Sequence, residues 1–240
     1  MSDFEWIALQ GLLPQMIGPL LVTVLIMRAF LYQAVPPELA SQFPLIRELL
    51  DTMGIPTLQI DGYEADDVIG SYALAARQRD WDVLVVTGDK DMAQLVDEHV
   101  QLLDTMKHQR MGPEGVVEKF GVPAERIVDY LALVGDTSDN IPGIRGVGPK
   151  TAAKWLNEHG DLDTLIANAD QIKGKIGEKL RAGLEQLPMA RDLATIRCEL
   201  ELPEPLDALV PGEPDNGRFV ALCQRLGFSR WIESAHTGST

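Results

Sequence analysis

The spacing of apolar positions changes along this chain. Between residues 37 and 53, Leu39, Phe43, Leu45, Ile46, Leu49 and Leu50 recur at helical spacing, and Pro37 suits a helix start. MGIPTLQIDG reads as a turn and a short strand, and EADDVIGSYALAARQRD as a helix with small apolar residues on one side. DVLVVTGDKD is the clearest strand, a β-branched run ended by Gly88. DMAQLVDE predicts a short helix and VQLLDT another strand. After about residue 113 the strand signal fades. PEGVVEKFG, PAERIVDYLALVG, GPKTAAKWLNEHG, LDTLIANAD and GEKLRAGLEQLPMARDLATI follow as helical patterns separated by Gly or Pro. ELELPEPLDALVPGEPDNG predicts an extended connection, FVALCQRLGFSRWIES a last amphipathic helix, and HTGST a frayed end.

The strand–helix–strand alternation predicts an α/β fold, with a mixed, mostly parallel sheet flanked by helices and a helical subdomain after it. The expected divisions are an apolar segment at 1–27, an α/β core at 28–135, a helical subdomain at 136–210 and a connection with a terminal helix at 211–240.

The first segment is the odd one. No charged residue occurs from Trp6 to Met27, a length that could span a bilayer. Pro14, Pro19, Gly11, Gly18, Gln10 and Gln15 disfavour that reading, and Asp3 and Glu5 replace the positive start of a secretory signal. A buried strand near LLVTVLI, or a poorly folded replacement segment, is the preferred alternative.

At 240 residues and 45% hydrophobic content, the chain can bury a substantial core. Its formal net charge of −15 argues against a nucleic-acid partner until the distribution is considered. Acids gather in three short clusters, while Arg145, Lys150, Lys154, Lys173, Lys175, Lys179 and Arg181 lie together later. Local basic strips can hold DNA despite the total, because screening cuts charge effects off beyond about 8 Å. Cys198 and Cys223 are far apart and form no CxxC pattern, which fits a reducing cytoplasmic compartment and suggests neither a disulfide framework nor a zinc site.

The clusters are GYEADDVIG with Glu64, Asp66 and Asp67, TGDKDMAQL with Asp89 and Asp91, and LVGDTSDNIPG with Asp136 and Asp139. Asp89 and Asp91 follow a strand, at the sheet edge where ligands bind in open α/β folds. Each group alone has a bland reading: acids favoured at a helix start, a solvated turn, or a simple cap. Together they suggest one pocket. Two carboxylates about 4 Å apart repel by roughly 4 kcal/mol at an effective dielectric of about 20. Seven such groups need counter-charge, and Mg²⁺ or Mn²⁺ with oxygen ligands supplies it. Two such ions would suit phosphodiester hydrolysis, and no Ser–His–Asp set or cysteine nucleophile competes. His99, His108, His159 and His236 are scattered.

NIPGIRGVGPKTAAKWL is the second signal. Gly143, Gly146 and Gly148 allow a tight turn, and Pro149 then opens a helix whose start can cradle a phosphate. Arg145, Lys150, Thr151 and Lys154 surround that start. This is the form of a helix–hairpin–helix clamp on DNA phosphates. A plain turn is the bland alternative. A nucleotide-binding P-loop is the near miss, since Pro149 makes the glycine-to-lysine spacing one residue too long.

In order and spacing, GYEADDVIG, VVTGDKDMAQLV, YLALVGDTSDNIPGIRGVGPKTA and RDLATI resemble the 5′-nuclease (flap endonuclease) family, as found in the 5′→3′ exonuclease domain of bacterial DNA polymerase I. The likeness runs from about Arg28 to Glu233 and is closest from Gly54 to Ile196. It implies a PIN-like core and cleavage of 5′ flaps and 5′ ends of duplex DNA in replication and repair, with two or more Mg²⁺ ions. Glu64, Asp66 and Asp67 would sit between or beside the metals, with Asp89, Asp91, Asp136 and Asp139 serving a second metal group. The loop from Gly143 to Lys150 would hold the duplex, often with K⁺. It also implies a monomer, with a polymerase domain or protein as a partner.

The family pattern further includes two N-terminal Asp ligands and a basic arch. This sequence has no Asp or Glu between Glu5 and Glu38, and the arch exit is visible only as LYQAVPPEL around Tyr32. The chain therefore reads as a copy whose N-terminal part is missing, replaced or rearranged, or whose true start differs. The rival reading is a catalytically impaired DNA-binding remnant of the same domain.

Overall fold

The computed structural model describes residues 40–232. The apolar segment at 6–27, the stretch around Tyr32 and HTGST lie outside the described residues. So do the expectations of a bilayer span or a buried strand there. Among the described residues, no helix is long and apolar enough to cross a membrane. Among the described residues the chain divides into two compact units, one of residues 40–72 and 199–232, the other of residues 73–198.

In the first unit, α1 (Phe43–Thr52) carries a proline in its first turn, and Leu50 is buried. The helix α9 (Asn216–Leu226) packs on it and buries Leu222 and Cys223. Asp215 caps α9 by accepting from the Arg218 N–H, one of the orphan donors of a helix start. Two ion pairs join the helices, Arg218 with Asp51 at 2.9 Å and Arg225 with Glu48. The Gly212 N–H donates to the Gly54 carbonyl at 2.7 Å. Residues 55–60, expected to include a strand, form no regular structure, although Leu58 is buried. The helix α2 (Ala65–Arg77) begins in this unit, and its Tyr72 hydroxyl donates to the Glu204 carbonyl at 2.9 Å.

The second unit holds the sheet. Among the described residues, β1 (Val83–Val86) pairs parallel with β2 (Val100–Asp104), which pairs antiparallel with β3 (Gln109–Met111). The sheet is mixed, as expected, with one parallel pair and one antiparallel pair. β3 was not anticipated, because Gln-Arg-Met has no β-branched residue and follows a four-residue turn. DMAQL winds as a 3₁₀ turn (Asp91–Leu95) rather than an α-helix.

The helical part follows as α3 (Pro113–Phe120), α4 (Ile127–Val134), α5 (Pro149–His159), α6 (Leu162–Ala167), α7 (Gly174–Gly183) and α8 (Leu187–Ala194). The stretch GEKLRAGLEQLPMARDLATI is not one helix. A 3₁₀ turn at Leu184–Gln186 separates α7 from α8, where Pro188 tolerates only a helix start. α4 lies at the centre, packed against α5, α8 and the Asp91–Leu95 turn. Apolar almost throughout, it buries Ile127, Leu131 and Leu133 fully, as a helix covered on several sides must. Its one buried charge, Asp129, pairs with Arg191 at 2.8 Å and accepts from the Leu162 N–H at 3.0 Å. Arg191 also pairs with Asp163 at 2.9 Å, so one guanidinium ties α8 to α4 and α6.

Candidate metal centre and nucleic-acid interface

The acidic site grows from two chain reversals in the second unit. The first follows β1. The Asp89 N–H donates to the Thr87 hydroxyl and the Asp91 N–H to Asp89 Oδ1, both at 3.0 Å. These side-chain bonds bend the strand end into the 3₁₀ turn and put Asp91 inside, 6% exposed, while Asp89 stays exposed. Gln94 anchors the turn. Its amide donates to the Asp91 and Ala194 carbonyls, and its oxygen accepts from the Ile196 N–H at 2.9 Å.

The second reversal follows α4. Asp136 and Ile141 pair as an isolated antiparallel bridge, and Asp136 Oδ1 accepts from the Ser138 N–H at 2.7 Å. Asp136 and Asp139 therefore share a closed turn after α4. The turn closes because Gly135 (φ 78°) and Gly143 allow their backbones to touch. A Cβ on Gly143 would stand 2.2 Å from the Val134 carbonyl oxygen.

The reversals bring carboxylate oxygens of Asp91, Asp136 and Asp139 within 4.8 Å of one another. Among the described residues, Asp91 Oδ1 is buried without a hydrogen-bond partner, a costly state for an acceptor of this kind. Burial first, then the fields of Asp89, Asp136 and Asp139, push the Asp91 carboxyl up to about 7, with Lys90 opposing. Lys90 Nζ lies 2.6 Å from Asp136 Oδ2. Burial alone would raise Asp136 too, but the Lys90 hydrogen bond, the Ser138 N–H and the Lys90 charge outweigh it and hold the carboxyl below its usual range. Lys90 shifts upward for the reciprocal reason. Burial works against its charge, and the bond to Asp136 with the fields of Asp136, Asp91 and Asp89 wins.

Hard oxygen donors, one of them buried and unsatisfied, fit a divalent cation of the magnesium type. Glu64, Asp66 and Asp67 belong to the other unit, at the start of α2, with Glu64 exposed. Lys90 and Gln94 were missed by sequence reasoning. A lysine between two aspartates at a strand end is a visible signal for the first. Gln94 left none, because two of its three partners are backbone atoms about a hundred residues away in the chain.

The glycine-rich loop forms a hairpin between α4 and α5. Ile144 and Val147 are buried, and the Val147 N–H closes the turn on the Ile144 carbonyl at 2.9 Å. Gly148 precedes α5, with Pro149 in its first turn. Arg145, Gly146, Lys150 and Lys154 are exposed, and Thr151 is half-buried. Lys179 of α7 lies over Gly146, its Nζ 2.6 Å from where a Cβ would be. Of the downstream basic group, Lys179 therefore lies beside the hairpin.

The family models settle the relationship. Residues 31–121 match the 5′-3′ exonuclease N-terminal resolvase-like domain, and residues 122–217 match the 5′-3′ exonuclease C-terminal SAM fold. The chain belongs to the 5′-3′ exonuclease family.

Among family relatives, the chain is 46% identical to a DNA polymerase I of Rhizobium leguminosarum, over 77% of this chain and 18% of that one. It is 39% identical to the thermostable DNA polymerase I of Thermus aquaticus, over 80% of this chain and 23% of that one. The chain thus spans about a fifth to a quarter of these relatives. In fold it is similar to T5 5′-exonuclease, solved with divalent zinc ions, at a TM-score of 0.65 and 21% identity over 81% of each chain. It is similar as well to the catalytic core of Rad2, solved with a DNA substrate, at a TM-score of 0.56 and 16% identity over 84% of this chain and 72% of that one.

Proposed function

We propose that this chain is a metal-dependent 5′→3′ exonuclease and flap endonuclease acting on DNA in replication and repair. One observation carries the reading: a buried, unsatisfied carboxylate oxygen of Asp91 in a group of three aspartates within 4.8 Å. Asp91, Asp136 and Asp139 hold one Mg²⁺ or Mn²⁺, with Asp89 tuning the charge beside them. Glu64, Asp66 and Asp67 serve a second ion and the reacting centre, an assignment supported by the family order of the motifs. Bound divalent ions lower the pKa of an attacking water and stabilise the leaving oxygen. The protein's own work is to hold the carboxylates close together, with Asp91 buried and its carboxyl pushed up to about 7, so that a bound cation favours its ionised form.

The hairpin from Gly143 to Gly148 and the start of α5 grip duplex phosphates through backbone N–H groups, aided by Arg145, Lys150, Thr151 and Lys154, with K⁺ at the loop. Exposed cations on a rigid turn, joined by Lys179, support that role. The T5 and Rad2 likenesses add support, since those proteins were solved with metal and with DNA substrate respectively. A polymerase domain or protein is the proposed partner, from the naming of the relatives. A cytoplasmic setting fits the two free cysteines, Cys198 and Cys223.

Cleavage of a 5′-flap duplex tests the proposal. Products form with Mg²⁺, vanish with EDTA and vanish in Asp136→Ala and Asp89→Ala. Binding of the flap with no cleavage, indifferent to Mg²⁺, makes the chain a DNA-binding remnant instead. For the hairpin, Lys150→Ala and Lys154→Ala each flatten the plot of log K against log salt by about one unit, whatever the DNA sequence. A fluorescence-anisotropy series with unchanged slopes removes both residues from the interface.

A further inference from the structure

Lys90 is the residue at the acidic site that the proposed chemistry leaves without a task. Its ammonium makes a 2.6 Å contact with Asp136 Oδ2, while Asp136 Oδ1 already accepts from the Ser138 N–H. Both oxygens of the buried Asp136 are thus engaged, and a cation joining the cluster meets an oxygen that a cation already holds. The lysine is built to leave. Its backbone is fixed by the Ala93 N–H donating to the Lys90 carbonyl at 3.1 Å, while its side chain is 42% exposed on a flexible four-carbon stem. Asp136, by contrast, is locked in its turn and cannot follow.

We propose that Lys90 is the resident counter-cation of the metal-free site, and that a divalent ion binds by exchanging with its ammonium on Asp136. The proposal rests on the metal-dependent reading above and deepens it. Without a metal, Lys90 pairs with Asp136 inside a group of three carboxylates within 4.8 Å. With the metal, the ammonium shares a pocket with a like charge and swings to solvent. Lys90 is therefore a positioning residue: it keeps the empty site folded and sets the concentration at which metal loads.

Mn²⁺ binding to the full chain, followed by electron paramagnetic resonance, tests this at about pH 8.5, where protons do not replace the missing cation. Lys90→Gln binds Mn²⁺ at least about tenfold more tightly than wild type, since no charged hydrogen bond has to be broken. Lys90→Arg, which keeps the charge, shows no such gain. In EDTA, Lys90→Gln melts lower than wild type, and added Mn²⁺ raises its melting temperature by more. Amine labelling of the wild-type chain gives a readout independent of any variant: Lys90 labels faster with Mg²⁺ present than in EDTA. Wild-type affinity in Lys90→Gln, or Lys90 labelling unchanged by Mg²⁺, overturns the exchange while the metal site stands. Absence of Mn²⁺ binding by wild type overturns both.

Discussion

Asp91→Asn is expected to make the metal-free protein more stable and to spoil its metal site. Asp91 is 6% exposed with one oxygen unsatisfied, and its carboxyl titrates near 7 instead of 3.8. A carboxyl with a raised folded pKa binds more protons folded than unfolded between those values, so its contribution to stability falls as pH rises through that window. Above about pH 7 the penalty is complete, with an upper bound of roughly 4 kcal/mol. Asn never ionises and can donate to neighbouring carboxylates. The melting temperatures of wild type and Asp91→Asn in EDTA should coincide below about pH 4, diverge from there to neutrality and stay apart by several degrees above it. In the same variant, Mn²⁺ affinity should fall at least about tenfold, since even residues behind a metal ligand cost that much. A variant that melts lower than wild type at pH 8 in EDTA would contradict this account of Asp91.

Gly143→Ala carries the second large effect. Its Cβ would lie 2.2 Å from the Val134 carbonyl oxygen, 2.3 Å from the Val134 carbonyl carbon and 2.4 Å from the Gly135 nitrogen. All three are backbone atoms at the end of α4, which is packed on several sides and cannot yield cheaply. Gly135 is locked from the other side. At φ 78° it disfavours any side chain, and a Cβ there would meet the Gly143 nitrogen at 2.4 Å. Between these glycines lie Asp136 and Asp139. The substitution should cost about 3 kcal/mol, the upper end for overpacking, and should displace both aspartates, so metal affinity falls with stability. Gly88→Ala is the matched control. It sits beside Asp89 in the sequence but has nothing within 4 Å of the added carbon, so denaturant unfolding should move by no more than about 0.5 kcal/mol. Equal midpoints for Gly143→Ala and wild type would show that the backbone contact does not close the loop.

What was legible in the sequence was whatever depends on local pattern. The β-branched run gave β1, the periodic apolar residues gave most of the helices, and the Gly–Pro step at 148–149 gave the start of α5. Expectations that failed depended on context. TLQI has strand-like alternation but gains no ladder partner, so Leu58 is buried from an irregular segment. The long helical pattern after residue 174 contains Pro188, which acts as a new start, not an interior residue. At the site, the residue types and their grouping were readable, because clustered carboxylates need a counter-charge. The identity of that counter-charge in the metal-free protein was not, since the Lys90–Asp136 contact joins residues that only the packing of α4 against the Asp91–Leu95 turn brings together. The Asp129–Arg191–Asp163 tie was hidden for the same reason: each residue alone reads as a solvated helix charge.

The most direct test of the central idea is to locate the ion. In crystals of the full chain grown with Mn²⁺, an anomalous difference map should show a peak bonded to carboxylate oxygens of Asp91, Asp136 and Asp139 at about 2.1–2.2 Å, with the Lys90 ammonium withdrawn from Asp136. A map with manganese only at scattered surface carboxylates, and the Lys90–Asp136 contact intact, would contradict the assignment of these three aspartates as a metal centre.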